Sequence, residues 1–217
     1  EFATVAAACG SEVTILEHGD RIMKRFDADL VDLLREGCAS RDLSVRTEVS
    51  VSGIERVEAG GYRVALAGGG AVEADLVVAA LGREPNVWNL GLENAGVEYS
   101  RRGISTDKRM RTSAPGIYAA GDCVTGIQLS PVSDAEARTA SRNVIHALRP
   151  DALEEDLEIS ALATVVFTYP QLAQVGMGEL EARERGGVRI VSGSGSGWPN
   201  YRRLNEEHMG YKVMVDV

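Results

Sequence analysis

Four stretches of the chain carry residue types that could hold a ligand. Glu17 ends a short β-branched run, Val13–Leu16. On a strand that follows the first helix of a nucleotide-binding β-α-β unit, an acid at that place accepts two hydrogen bonds from the adenosine ribose hydroxyls. It also repels a 2′-phosphate, which favours NAD over NADP. A solvated loop acid is the plainer reading of the same residue. Gly116–Asp122 (GIYAAGD) ends in small residues and Gly-Asp. Its aspartate would project from the carboxyl end of a parallel strand, where open α/β sheets bind ligands, and could take a sugar or ribityl hydroxyl. An ordinary strand-end turn uses Gly-Asp as well. Gln128–Val132 (QLSPV) opens a helix at Pro131. The free N–H groups and partial positive charge of a helix start suit an anion, including the charged ring of a reduced flavin. Capping by Ser130 is the alternative. Leu81–Asn86 (LGREPN) reads as a tight crossover or a structural turn after an apolar run.

Other reactive residues form no pattern. Cys9, Cys38 and Cys123 make neither a C-x-x-C nor a C-x-x-x-x-C pair. Three cysteines at wide spacing suit a reducing cytosol, and Cys9 and Cys38 are expected on the core faces of helices. His18, His146 and His208 lack metal-ligand spacing, so no metal site is expected and surface positions are. Trp198, Tyr201, Arg202 and Arg203 read as an exposed loop or a subunit contact.

The elements that must position these groups follow from composition and periodicity. The 217 residues are 44% hydrophobic and 25% charged, with a net charge of −9. That is globular composition, enough for one large or two modest domains. The acidic balance argues against nucleic acid or an anionic membrane as partner. The longest apolar run, Leu76–Leu81, is far shorter than the roughly 20 residues that span a bilayer. Glu1–Gly10 has no secretory pattern, and a cytoplasmic location is expected. Ala-rich Phe2–Cys9 reads as a helix stopped by Gly10, and Glu12–Leu16 as a parallel strand. Asp27–Arg41 reads as an amphipathic helix capped by Asp27, and Leu43–Val45 as a strand. From Val49 to Ala74 the period becomes two, broken by Gly60-Gly61 and Gly68–Gly70, which predicts a β-meander. Asp75–Leu81 reads as a fully buried strand. Ile117–Ala120 reads as a short strand running into Gly121-Asp122, with one more near Gly103–Thr106. Pro131–Leu148 reads as a helix and the acidic Asp151–Glu158 as a linker. The remainder alternates: strand Thr164–Thr168, helix Glu179–Glu184, strand Val188–Ser192, loop Ser192–Gly197, strand Tyr211–Val217. The fold class is α/β: partial doubly wound nucleotide-binding domains with a β-meander, plus an α+β tail.

Four of these segments, in this order, resemble the FAD-dependent pyridine nucleotide-disulfide oxidoreductases, in the branch of glutathione reductase, dihydrolipoamide dehydrogenase and mercuric reductase. VTILEHGDRIM (Val13–Met23) resembles that family's second nicotinamide-domain strand, and LGREPN its interdomain crossover. GIYAAGD resembles its second FAD motif, and TVVFTYPQLAQVG (Thr164–Gly176) the opening of its dimerisation domain. The resemblance implies FAD and NAD, less readily NADP, as cofactors, and hydride passing from the nicotinamide to FAD and on to a small-molecule disulfide or similar acceptor. It implies that Asp122 binds the FAD ribityl chain, and that Leu129 and Ser130 bring backbone N–H groups to the flavin edge. Glu17 would bind the NAD ribose and Gly82 would lie near the nicotinamide cofactor. Glu1 would be the acid near the flavin–nicotinamide contact, and Val165 would sit on a strand approaching the nicotinamide pocket. The helix start QLSPVSDAEAR is closer to the glutathione reductase pattern, whereas Glu17 matches NAD-using members.

The resemblance also implies domains: 1–84 as part of the NAD-binding domain, 85–155 as the C-terminal part of the FAD-binding domain, and 156–217 as a truncated dimerisation domain in a homodimer. The family's G-x-G-x-x-G loops, redox C-x-x-x-x-C and C-terminal His-Pro-x-x-x-x-Glu have no counterpart here. The chain is therefore expected to be a fragment that alone binds FAD and NAD weakly or not at all and does not turn over. Two other readings stand beside it: a non-catalytic self-association module working through 156–217, and a simple NAD-binding regulatory domain.

Overall fold

The computed structural model describes residues 1–159 and 161–217. The chain divides into two compact units, one of residues 1–78 with 162–217 and one of residues 79–161. In the first unit, α1 (Phe2–Ala8) ends as expected before Gly10, whose φ of +91° turns the chain away. β1 (Val13–Leu16) runs parallel to β2 (Leu43–Arg46), and α2 (Ala28–Ala39) connects them. The helical spacing of Val31, Leu34 and Cys38 points one face of α2 at Phe26 and Leu43, which together form the core. Leu172, far along the chain, completes that core. Cys38 is buried as expected, but Cys9 is exposed, because α1 has no buried residue for it to join.

The meander is β3 (Val51–Arg56), β4 (Tyr62–Leu66) and β5 (Ala71–Ala74), all antiparallel. Glycine is required at its first turn: Gly61 sits at φ +80°, and a Cβ there would stand 2.9 Å from the Ala74 carbonyl oxygen. The expected strand Asp75–Leu81 does not form. Leu76 is 73% exposed and Leu81 97% exposed. A run of apolar residues becomes a buried strand only with neighbours on both edges, and no described strand pairs with this one.

The later segment of this unit holds two hairpins. β8 (Ala163–Val166) pairs with β9 (Leu172–Val175) across a turn containing the cis Tyr169–Pro170 bond. After α4 (Glu179–Arg185), β10 (Val188–Ser194) pairs with β11 (Gly210–Asp216), with the short α5 (Pro199–Arg203) between them. β10 thus takes in the first residues of the expected Ser192–Gly197 loop.

Lys212 of β11 joins these pieces. Its side chain is only 3% exposed, and its ammonium lies 2.7 Å from Asp29, 3.5 Å from Asp27 and against Glu179. Those three carboxylates have the spacing of a metal site, and the lysine ammonium stands among them. Asp27 occupies the N-cap position of α2 but makes no capping bond to it. Its Oδ1 accepts the Glu179 amide at 2.8 Å instead, so the expected cap serves α4. Arg41 adds a second tie, pairing with buried Glu206 at 3.1 Å and lying over the Tyr169 ring.

In the second unit a 3₁₀ turn (Leu92–Ala95) precedes the hairpin of β6 (Tyr99–Ser100) and β7 (Gly103–Ile104). Val87, Val97, Ile104 and Ala114 form its core. α3 (Ser130–Leu148) is the long helix, with Pro131 in its first turn as expected. Ile117–Ala120 forms one bridge, Tyr118 with Arg111, rather than a strand. The Thr112 amide on the Ile117 carbonyl and the Ala119 amide on the Met110 carbonyl flank that bridge.

The acidic stretch 151–158 is not a free linker. Glu154 and Asp156 pair with Arg109 at 2.6 and 2.7 Å, Glu154 also meets Arg111, and Glu155 meets Arg142. Asn143, fully buried, donates to the Arg109 and Glu155 carbonyls and accepts the Glu155 amide. His146 is drawn in as well: its Nδ1 lies 2.7 Å from the Ala152 carbonyl, so it is half-buried rather than on the surface. His208 is likewise half-buried, whereas His18 is exposed as expected. No helix among the described residues is long and apolar enough to cross a membrane.

Stability measurements on three variants test this account. Lys212→Met leaves three carboxylates facing one another, and urea denaturation at pH 7 should show a loss of about 2 kcal/mol or more. Burial disfavours the Lys212 ammonium, but its bonds to Asp29 and Glu179 and the Asp27 charge win and raise its pKa. Its contribution is present below the ordinary lysine value and lost as pH rises through the raised one. Lys212 and Arg183 hydrogen bonds hold the Glu179 carboxyl below its ordinary 4.5. That contribution is present above the ordinary value and lost as pH falls through the lowered one. The deficit of Lys212→Met should therefore be flat from about pH 5 to pH 10 and shrink below about pH 4. In the second unit, Asn143→Ala should cost about 2 kcal/mol or more, because it strands buried backbone groups. Arg142→Ala, at a largely exposed pair, should cost under about 1 kcal/mol.

Candidate functional site

The Gly-Asp turn of the second unit gathers most of the expected ligand residues. Gly121 has φ +83°, which an L side chain rarely adopts, and its amide donates to Glu136 Oε2 at 2.7 Å. The turn presents the Asp122 carboxylate, nearly half exposed, and Arg83 Nη1 donates to it at 2.7 Å. Gly82, at φ +121° in open space, gives the chain the bend just before Arg83. On the other side, Gln128 Nε2 donates to the Asp122 carbonyl at 3.3 Å, tying the turn to the start of α3.

Leu129 is the N-cap residue of α3, and its carbonyl accepts the Val132 and Ser133 amides. Ser130 makes no side-chain capping bond, contrary to the capping alternative. Among the described residues no acceptor takes its N–H, and Pro131 has none to offer. The helix therefore starts with an unspent donor and its positive end next to the Asp122 turn. The Cys123 thiol, beside Asp122, donates to the Ala120 carbonyl at 3.2 Å.

The first unit holds the other candidates. Glu17 directly follows β1; its amide donates to Arg46 and its carbonyl accepts from Val49. Its side chain is about one-third exposed, and Oε1 accepts the Gly19 amide at 2.6 Å and lies 3.1 Å from His18 Nδ1. Lys24 stands close by, over Gly19, where it pairs with Asp20 at 2.6 Å. That pairing, hydrogen bond and charge together, lowers the Asp20 pKa. Glu1 is exposed; its Oε1 accepts the Phe167 amide at 2.8 Å, just past β8. Val165 lies on β8 opposite Ala173, two residues before Phe167. Glu1 and the end of β8 are thus together, whereas Glu17 shares no hydrogen bond with either.

Two concavities lie elsewhere. One of about 320 Å³ is lined by Arg111, Pro115, Tyr118 and His146. It sits at the far end of α3, about 25 Å along the helix from Leu129. The other, about 430 Å³, lies between α4 and β10. Asp122 and Glu17 stand on open turns. Sequence reasoning missed Arg83 and Glu136 as members of the Asp122 site. Arg83 lies inside the LGREPN motif, where its charge was the available signal. Glu136 sits among small residues of α3 with no local signal.

The family described as pyridine nucleotide-disulphide oxidoreductase matches residues 1–137. Among similar proteins is a glutathione reductase from Burkholderia cepacia, 36% identical over 186 residues, with 85% of this chain and 40% of that protein covered. A dihydrolipoyl dehydrogenase from Staphylococcus aureus is 34% identical over 190 residues, covering 86% of this chain and 39% of that protein. Among solved structures, the HOCl-induced flavoprotein disulfide reductase RclA from Escherichia coli has a TM-score of 0.88 at 28% identity, covering 99% of this chain and 48% of that one. LpdA from Mycobacterium tuberculosis has a TM-score of 0.86 at 26% identity, covering 100% of this chain and 46% of that one. The chain spans about 40% of the length of the curated relatives it matches. With more than half its residues matched and the whole of its fold shared, the chain belongs to the pyridine nucleotide-disulphide oxidoreductase family, as its four motifs implied.

Proposed function

We propose that the protein carrying this chain passes hydride from NAD(P)H to FAD and electrons on to a disulfide or similar acceptor. The observation that carries this reading is the Asp122 carboxylate, exposed on a Gly-Asp turn and tied to the amino terminus of α3. The donor set suits a flavin nucleotide. A carboxylate accepts sugar-alcohol hydroxyls, the exposed Arg83 guanidinium has donors left for an anion, and the α3 start favours negative charge on a ring edge. FAD, when bound, supplies a two-electron acceptor for hydride.

In this reading Asp122 grips the ribityl chain, and the Leu129–Ser130 backbone faces the flavin edge. Gly82 leaves space near the nicotinamide cofactor, and Val165 lies on the strand toward the nicotinamide pocket. Glu1 is the catalytic acid near the flavin–nicotinamide contact. Glu17 accepts the adenosine ribose hydroxyls and sets NAD above NADP; its second carboxylate oxygen, Oε2, is the one left for that role. Residues 1–84 serve the NAD-binding domain, 85–155 the FAD-binding domain and 156–217 dimerisation, in a cytoplasmic enzyme. The 217 residues alone hold FAD weakly, because they contain no G-x-G-x-x-G loop to cradle a diphosphate.

A second reading, self-association through 156–217, draws support from the β10–β11 hairpin. Val191, Val213 and Val215 share one face and are each more than 40% exposed. This is compatible with the enzymatic reading, as the interface of a homodimer.

Three experiments on the full-length protein test these readings. Its purified form should show a flavin absorption band that bleaches with NADH. Glu17→Ala should raise the KM for NADH about tenfold while leaving that for NADPH unchanged or lower. A colourless protein, or an NADH KM indifferent to Glu17, contradicts the respective assignment. Val213→Lys should shift the sedimenting species from dimer toward monomer, and an unchanged mass removes this face from the interface.

A further inference from the structure

Among the described residues two glutamates are buried, Glu136 and Glu206. Glu206 is neutralised by Arg41. Glu136 has no basic partner among the described residues, although it is only 5% exposed. Burying a carboxylate without a cation costs stability, so the arrangement calls for another reason.

Its contacts supply one. From inside α3, Oε2 accepts the Gly121 amide at 2.7 Å. Oε1 faces Gly126, where a Cβ would stand 3.6 Å away. The loop from Gly121 to Gly126 therefore bends around this carboxylate, with Asp122 carried between the two contacts. The Gln128 bond to the Asp122 carbonyl then closes the loop onto the start of α3. Burial pushes the Glu136 carboxyl above the usual range; the Gly121 amide pulls it back, and the Asp122 charge adds to the rise. A buried acid beside a second acid is a poor choice for stability alone. What it does provide is a fixed position for the amide immediately before Asp122.

We propose that Glu136 is a positioning residue for flavin binding: by accepting the Gly121 amide it sets the Asp122 carboxylate against the amino terminus of α3. The proposal rests on the reading of Asp122 as a ribityl ligand. Glu136 touches neither cofactor nor substrate and acts through the loop.

The test compares Glu136→Gln, Glu136→Asp, Glu136→Ala and Asp122→Ala in the full-length protein. Gln keeps an oxygen where the Gly121 amide needs it, whereas Asp is one methylene short. The readouts are hydrogen exchange of the backbone around Gly121 without cofactor and the dissociation constant for FAD by flavin fluorescence. In Glu136→Ala and Glu136→Asp, exchange should quicken and FAD should bind about tenfold more weakly or worse. In Glu136→Gln both should stay near wild type. Should Glu136→Ala fail to fold, the Gln–Asp pair decides by the same criteria. Wild-type exchange and affinity in Glu136→Asp or Glu136→Ala, or a Gln variant as impaired as Ala, overturns the proposal. If Asp122→Ala keeps wild-type FAD affinity, the ribityl reading has failed and takes the flavin role of Glu136 with it. If Asp122→Ala weakens FAD while Glu136→Ala and Glu136→Asp do not, only the positioning role fails.

Discussion

A single left-handed residue governs the candidate flavin contact. Gly121 sits at φ +83°, and that value, rather than crowding, requires glycine: the nearest atoms to an added Cβ, on Ser133, are at ordinary contact distance. The turn it makes throws its own amide inward to Glu136 and the next side chain outward to Arg83. One acid, buried, anchors the turn; the next, exposed, is presented by it. A carboxylate near a helix start is favoured by roughly 0.3–1 kcal/mol, and Arg83 further offsets the repulsion between the two acids. Around the turn stand the Asp122 carboxylate, the Arg83 guanidinium bonded to it and the unspent Ser130 N–H, the donors and acceptors on which the proposed flavin contact draws.

The first unit rests on a different kind of constraint. Its N-terminal β-α-β segment and its C-terminal hairpins are distant in sequence but share Leu172 in one core and Lys212 in one ionic knot. The knot is satisfied on every side: Asp27 divides its oxygens between the ammonium and the start of α4. Glu1 adds a further tie, from the first residue to the backbone beyond β8. The strand that carries Val165 is thereby held to the segment that carries Glu17.

Much of this was legible from local pattern. The spacing of Val31 and Leu34 marked α2, the period-two run with paired glycines marked the meander, and Pro131 marked the start of α3. These features are decided within a few residues of themselves. The failures share a cause, which is dependence on a distant partner. Leu76–Leu81 has the composition of a buried strand, but burial needs neighbouring strands that its own residues cannot supply. The acidic stretch after Asp151 reads as a linker until Arg109 and Arg111, more than 40 residues earlier, are seen to face it. Asp27 looks like the cap of the helix it precedes, yet spends its oxygen on α4. Glu136 carries no signal at all, since only the fold brings it beneath Gly121.

The family motifs were legible for the opposite reason: each concentrates a geometric demand into consecutive residues. Gly121-Asp122 states both the bend and the group it presents. The central claim is that this presented carboxylate holds the sugar portion of a flavin. The most direct measurement is a crystal structure of the full-length protein with FAD. The account predicts an Asp122 carboxylate oxygen within about 3 Å of a ribityl hydroxyl, at hydrogen-bond distance. A ribityl chain beyond hydrogen-bond reach of Asp122, with that carboxylate still facing solvent, would contradict it.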